Sequence, residues 1–214
     1  MTANHHTDRD DARPDSAELW EAWNAEGGPK YPHEKVVQFC FRHFPPRSRA
    51  AVHALDLGCG GGVHTCFLAR EGFRVTAVDA SVTGVAHTIR RLKDEKIHAT
   101  VGIRHIEAIE FPANSFGLVV CAGVLDAAGP DASREAVRRV SACMAPGARG
   151  IFLFASDRDF RVTGKNPYRL HGYTRREVES VFAAPLATVW IDTFITTYEN
   201  GRVEQNDWIV TVER

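Results

Sequence analysis

The chain has 214 residues, is 44% hydrophobic and carries a formal net charge of −1. One domain with a sizeable core is expected from that length. With no basic excess and no Lys/Arg cluster, a nucleic-acid face is not expected. No apolar run approaches the roughly 20 residues of a membrane span, so no membrane role is expected.

In chain order, residues 1–14 are polar, without apolar period, and read as a disordered tail. They carry no apolar signal-peptide core, so a cytoplasmic location is expected. Residues 15–50 read as a helical cap. Asp15 to Glu18 could form a capping box opening a short helix with Leu19, Trp20 and Trp23. Gly27-Gly28-Pro29 breaks it, and Tyr31-Pro32 leads into a helix from about His33 to Phe44. Its expected apolar face is Val36, Val37, Cys40, Phe41 and Phe44, and Pro45-Pro46 ends it. Trp20, Trp23 and Tyr31 would suit a lid over a cationic ligand, because aromatic faces attract cations. The tryptophans could equally just pack the helix onto a sheet.

Residues 51–214 form the main domain. An apolar run, Ala51 to Leu57, ends in Asp56-Leu57 and a burst of glycine, Gly58, Gly60, Gly61 and Gly62. An amphipathic stretch follows with Val63, Cys66 and Phe67, so the segment reads as strand, tight loop, helix. Bare backbone there lets a ligand lie against the loop and the helix amino end. The dinucleotide spacing G-x-G-x-x-G fails, because its third glycine falls on Val63. A P-loop fails too, since Gly62 is followed by Val63-His64. What remains is D-x-G-x-G-x-G, Asp56 to Gly62.

Gly72 ends the first helix, and Phe73 to Val78 is a second strand closing on Asp79. Ser81 to Lys93 is a helix with Val82, Val85, Ala86, Ile89 and Leu92 at helical spacing. Ala99 to Ile103 is a third strand. Phe111 to Phe116 is a turn, and Gly117 to Ala122 a fourth, fully apolar strand. Ligands bind at the carboxyl ends of such strands, so Ala122 to Asp126 should face the reacting groups. Asp131 is expected to cap the next helix, with Ala136, Val137, Val140, Cys143 and Met144 inward. Gly150 to Phe154 is strand five. A polar segment from Ala155 to Tyr173 follows, then a capping box at Thr174-Arg175-Arg176-Glu177. Thr188 to Tyr198 and Arg202 to Val212 flank Glu199-Asn200-Gly201, a hairpin signal. Cysteines 40, 59, 66, 121 and 143 form no C-x-x-C pair, and the histidines lack ligand spacing. Reduced, buried thiols and no metal site are expected.

Three motifs in order, Asp56 to Gly62, Asp79, and V-S-A-C-M-A-P-G-A-R-G-I-F-L-F ending at Phe154, resemble those of the class I S-adenosylmethionine-dependent methyltransferases. The W-x-x-W…G-G-P-K-Y-P cap and hairpin end look like the small-molecule type that includes the thiopurine and tellurite-resistance enzymes. The resemblance implies an α/β, Rossmann-like, doubly wound seven-stranded sheet with a C-terminal antiparallel hairpin and an N-terminal helical cap. It implies S-adenosylmethionine as cofactor, S-adenosylhomocysteine as product and a small-molecule acceptor, with oligomeric state open. Asp56, Gly58, Cys59, Gly60 and Gly62 would hold the amino-acid tail. Asp79, with Ala80, would meet the ribose. His105 and Ile106 stand where relatives carry an acid near adenine, Ala122 near the methyl, and Trp20 and Tyr31 in the lid. Gly117 stands where the family commonly has aspartate. Methylation of oxygen or nitrogen is expected, with His33, Tyr31 and His171 as candidate bases. The alternative is a catalytically weak relative that binds the nucleoside and serves as a partner subunit.

Overall fold

The computed structural model describes residues 16–164 and 168–214. The expected tail at 1–14, Asp15 of the capping box, and Lys165 of the polar segment lie outside them. The order is α1 (Ser16–Ala25), α2 (Glu34–His43), α3 (Pro46–Arg49), β1 (His53–Leu57), α4 (Val63–Arg70), β2 (Arg74–Asp79), α5 (Val82–Glu95) and β3 (Thr100–Ile103). Then come β4 (Phe116–Ala122), α6 (Leu125–Ala128), α7 (Pro130–Cys143), β5 (Met144–Ala155), α8 (Phe160–Thr163), α9 (Arg175–Val181), β6 (Thr188–Tyr198) and β7 (Val203–Glu213). Among the described residues, no helix is long and apolar enough to cross a membrane.

The seven strands form one sheet in the order β3-β2-β1-β4-β5-β7-β6. β1 to β5 run parallel, and β7 runs antiparallel to both β5 and β6. Side chains alternate along each strand, so the sheet feeds two cores. On one face Ala54, Val75, Leu118, Val120, Ile151 and Leu153 meet Val36, Phe39 and Cys40 of α2 and Phe67 and Leu68 of α4. On the other, Leu55, Val119, Phe152 and Phe154 meet Ala136, Val137 and Val140 of α7, Val178 and Val181 of α9, and Tyr173. All five cysteines are unpaired and buried.

Two helices turn differently from expectation. In α2, Phe39 is buried and Phe41 is half exposed. At about 100° per residue, Phe39 lies near Val36 and Cys40, while Phe41 swings away; there the Arg49 guanidinium covers it at 4.6 Å. In α5 the inward side is Gly84, Val85, Thr88 and Leu92, and Val82 and Ile89 are exposed. The cause is a close approach to the glycine loop, where a Cβ on Gly62 would stand 2.6 Å from Thr88 Oγ1. Asp131 does not cap α7. Gly129, at φ 79°, is the cap residue and Pro130 fills the first helical position, where its missing N–H costs nothing. The box at Thr174 and Glu177 is present. The hairpin closes from Tyr198 to Val203, with Glu199, Asn200 and Gly201 all at positive φ.

The first helix is fastened from a distance. Glu21 accepts hydrogen bonds from the backbone N–H groups of Val82 (2.7 Å) and Thr83 (3.0 Å). A side chain of α1 thus serves orphan donors in the first turn of α5. Glu21→Ala should cost about 1 kcal/mol, the usual worth of a cap. Thermal unfolding, with limited proteolysis at α1, checks this.

Candidate functional site

The glycine loop joins β1 to α4. Gly58, Gly60 and Gly62 have φ of 79°, 48° and 82°, values that a side chain resists. Gly58 and Cys59 donate to Val78 O, which ties the loop to β2. Asp79, at the end of β2, closes the arrangement. Its Oδ2 accepts from Gly60 N at 2.7 Å and its Oδ1 from Ser81 N at 2.8 Å. Burial raises its pKa, and the backbone N–H groups of Ser81 and Gly60 oppose the rise. Ala80 beside it is exposed.

Asp56 sits beneath the loop, buried, with its Oδ2 accepting from Thr65 Oγ1 at 2.5 Å. It steadies the loop from below rather than lining its open side. Burial pushes its pKa up to about 7; the Thr65 hydroxyl opposes this and nearby Asp79 adds to it. A carboxyl raised in the folded state favours the folded state while protonated. Stability from Asp56 is therefore present at low pH and lost as pH rises from about 4 to about 7. Asp56→Asn should flatten that part of the curve, as read by urea titrations at pH 4.5, 6 and 7.5.

The cap touches the loop directly. A Cβ on Gly61 would stand 2.7 Å from Gly27 O, and one on Gly60 would stand 3.2 Å from Asn24 Oδ1. Trp20 and Trp23 both meet Tyr168, with ring centroids 5.1 and 5.6 Å apart. The aromatic cap therefore reaches the segment after β5. Tyr31 stands apart, 81% exposed. His105 is exposed beside Glu107, while Ile106 is buried in the core. Gly117 is crowded, since a Cβ there would lie 3.2 Å from Val52 Cγ1. At the end of β4, Ala122 leads to Gly123, where an added Cβ would meet nothing within 4 Å. Val124 then folds back onto the loop: a Cβ on Gly58 would be 2.2 Å from its Cγ2.

The other proposed residues lie toward β5 and the hairpin. His33 caps α2. Its Nδ1 accepts from Lys35 N and its backbone N–H donates to His64 Nε2 at 3.1 Å. Its ring meets Phe194 edge-on at 5.7 Å. Burial lowers its pKa, against the pull of Asp207 and Glu34. His171 Nε2 pairs with Glu177 Oε1 at 3.1 Å, and its backbone N–H donates to Asp126 O. The sequence reading missed an ionic cluster beside these. Arg161 is held by Asp159 through Nε (2.8 Å) and Nη2 (2.9 Å), and also by Asp207. Asp159, Asp207 and Asp126 are all buried. For Asp159 and Arg161 the signal was the density of charge after strand five, which cannot tell a solvated loop from a buried network; Asp126 stood in the stretch after strand four, and nothing marked Asp207.

A mostly parallel sheet with a glycine loop after β1 and an acid at the end of β2 is an arrangement in which α/β domains bind nucleotides. Residues 54–147 match the family described as a methyltransferase domain. A ubiquinone biosynthesis O-methyltransferase of Coxiella burnetii is 28% identical over 109 residues, 51% of this chain and 45% of the relative. The chain thus aligns with about half the length of the curated relatives it matches. The magnesium protoporphyrin IX methyltransferase of Synechocystis superposes with a TM-score of 0.71 at 14% identity, covering 94% of this chain and 100% of that one. TehB of Haemophilus influenzae gives 0.66 at 17% identity, covering 87% and 63%. Over residues 54–147 the chain is similar to the methyltransferase domain family, and its fold is that of the solved methyltransferases.

Proposed function

We propose that this protein is an S-adenosylmethionine-dependent methyltransferase acting on a small-molecule acceptor, with oxygen the favoured acceptor atom. The observation that carries the reading is the Asp79 carboxylate, locked across the glycine loop. The residues present fit the cofactor. Left-handed glycines expose backbone for an amino-acid tail, a carboxylate stands where a ribose needs acceptors, and open space lies over Gly123 at the end of β4. Bound there, S-adenosylmethionine supplies a methyl group already activated by its sulfonium.

The protein's own task is then alignment and exclusion of water. Gly58 to Gly62 fix the tail by backbone contacts. Asp79, with Ala80 beside it, holds the ribose; His105 and Ile106 border the adenine end. Ala122 and Val124 form the wall toward the acceptor. Trp20 covers the site in a tilted contact with Tyr168, and its face suits a cation. His33, Tyr31 and His171 are the side chains first proposed as base. His33 spends Nδ1 on its helix, and Tyr31 reaches toward solvent. His171 is oriented by Glu177. Oxygen is favoured because the curated relatives are named as O-methyltransferases.

Calorimetry with S-adenosylhomocysteine and transfer of a labelled methyl to a phenol panel test the reading. Binding in the micromolar range with transfer to at least one acceptor is expected. Absence of any heat with S-adenosylhomocysteine would sink it.

A further inference from the structure

Among the described residues, buried side-chain polar atoms without a partner are Trp20 Nε1, Arg49 Nη2, Asn206 Oδ1 and Asp126 Oδ1. Asp126 is the carboxylate of that group. An unpaired buried carboxylate oxygen is costly, and folded proteins seldom keep one without a use for it. Its other oxygen is anchored, because Oδ2 accepts from Ala155 N at 3.1 Å at the end of β5. The residue sits at the carboxyl end of β4, two positions after Val124, which lies on Gly58, and three after the open space at Gly123.

We propose that Asp126 is a catalytic residue that receives the hydrogen bond, and then the proton, of an acceptor hydroxyl, and that the acceptor is neutral or cationic. The inference rests on the methyltransferase reading above. In the step, Asp126 takes the hydroxyl proton while the acceptor oxygen bonds to the methyl carbon. The carbon–sulfur bond breaks, its electron pair stays on sulfur, and the sulfonium charge is discharged. Charge is balanced by loss of the carboxylate's negative charge.

The surroundings set the charge preference. Arg161 from α8, Asp207 from β7, Tyr173 from the segment before α9 and Cys121 from β4 act electrostatically on Asp126, while His171 reaches it only through its backbone N–H, which donates to Asp126 O. Arg161 is already shared between Asp159 and Asp207. Three carboxylates thus stand against one guanidinium, and an anionic acceptor meets repulsion. Burial pushes the Asp126 pKa up to about 6, with the Ala155 N–H and Arg161 opposing. Raised in this way, it is a stronger base than an ordinary carboxylate.

Catechol, dopamine and protocatechuate carry the same diol with neutral, positive and negative substituents. Their binding to the S-adenosylhomocysteine complex is measured by calorimetry, and their methylation with labelled cofactor. Catechol and dopamine should bind at least tenfold tighter than protocatechuate. Asp126→Asn should shrink that preference at least fivefold and lower kcat with catechol at least 100-fold. It should also remove a limb near pH 6 from the pH profile, with S-adenosylhomocysteine affinity within twofold. If the asparagine variant does not hold the native Tm, Asp126→Ser is read in the same way. Protocatechuate binding equally well, kcat within threefold in the variant, or no binding by any of the three overturns the proposal. Failure of S-adenosylhomocysteine itself to bind would instead overturn the methyltransferase reading.

Discussion

Asp79→Ala should weaken S-adenosylhomocysteine binding by about 100-fold or more while leaving the protein folded. The carboxylate has two jobs. In the structure its oxygens accept from Gly60 N and Ser81 N, which holds the glycine loop in shape before any ligand arrives. In the proposed complex the same group faces the ribose. A hydrogen bond to a charged group is worth about 1.5–3 kcal/mol, and each 1.4 kcal/mol is about tenfold in affinity. Loss of the ribose contacts and of loop order therefore removes about two decades. Asp79→Asn keeps one oxygen acceptor and should lose less. Calorimetry reads both, with near-ultraviolet circular dichroism as the folding control. An alanine variant that binds within threefold of the parent would remove Asp79 from the site.

Gly58→Ala should be among the most damaging single methyl additions to this chain. Two costs combine. The residue sits at φ 79°, and left-handed backbone costs a side-chain-bearing residue about 1–2 kcal/mol. The new Cβ would stand 2.2 Å from Val124 Cγ2 and 2.8 Å from Cγ1, so the wall at the end of β4 must move. Overpacking adds about 1–3 kcal/mol. The sum, about 2–5 kcal/mol, should appear as a fall in urea midpoint. Adding Val124→Ala should recover the packing part and leave the backbone part. The double variant therefore ends more stable than Gly58→Ala alone. If Val124→Ala gives no recovery, the loop and β4 are not in the contact described. This pair also bears on the proposed function, because Val124 links the glycine loop to the end of β4.

The succession of strands and helices was legible because the cues are local. Apolar runs ending at an acid or glycine, as at Asp79 and before Gly123, alternate with helical stretches, while the order of strands within the sheet came from the family resemblance. The antiparallel hairpin was readable from Asn200-Gly201 between β-rich stretches. Helix orientation was less so. Phe41 and Phe39 differ only in angle around α2, and composition weighs both alike. Val82 and Ile89 have the right spacing for a buried face, yet Gly62 and Thr88 decide which side of α5 approaches the loop. The residues of the proposed cofactor site were named from sequence, but the geometry that the loop and Asp79 adopt was not. Nothing in the chain places Glu21 on the amino end of a helix 61 residues later. Likewise, Asp126, Asp159, Arg161 and Asp207 come from four different elements or loops, and only the folded sheet assembles them. Asp126 stood in the stretch expected to face the acceptor; its unpaired oxygen is invisible without coordinates.

The placement of β7 between β5 and β6 governs how this chain must be made. β6 leaves the ribosome first, yet its neighbour in the sheet is β7 alone. Until β7 is synthesised, β6 has no native partner strand, and its Trp190, Ile195 and Tyr198 are exposed even in the finished fold. Such a nascent strand is prone to pairing with other chains. The parallel half of the sheet can assemble earlier, residue by residue, as each crossover helix appears. Completion of the acidic cluster waits for the end, because Asp207 arrives on the last strand. Assembly of the proposed acceptor site is thus coupled to the final step of folding, and partly folded chains can hold a formed glycine loop without the acidic cluster.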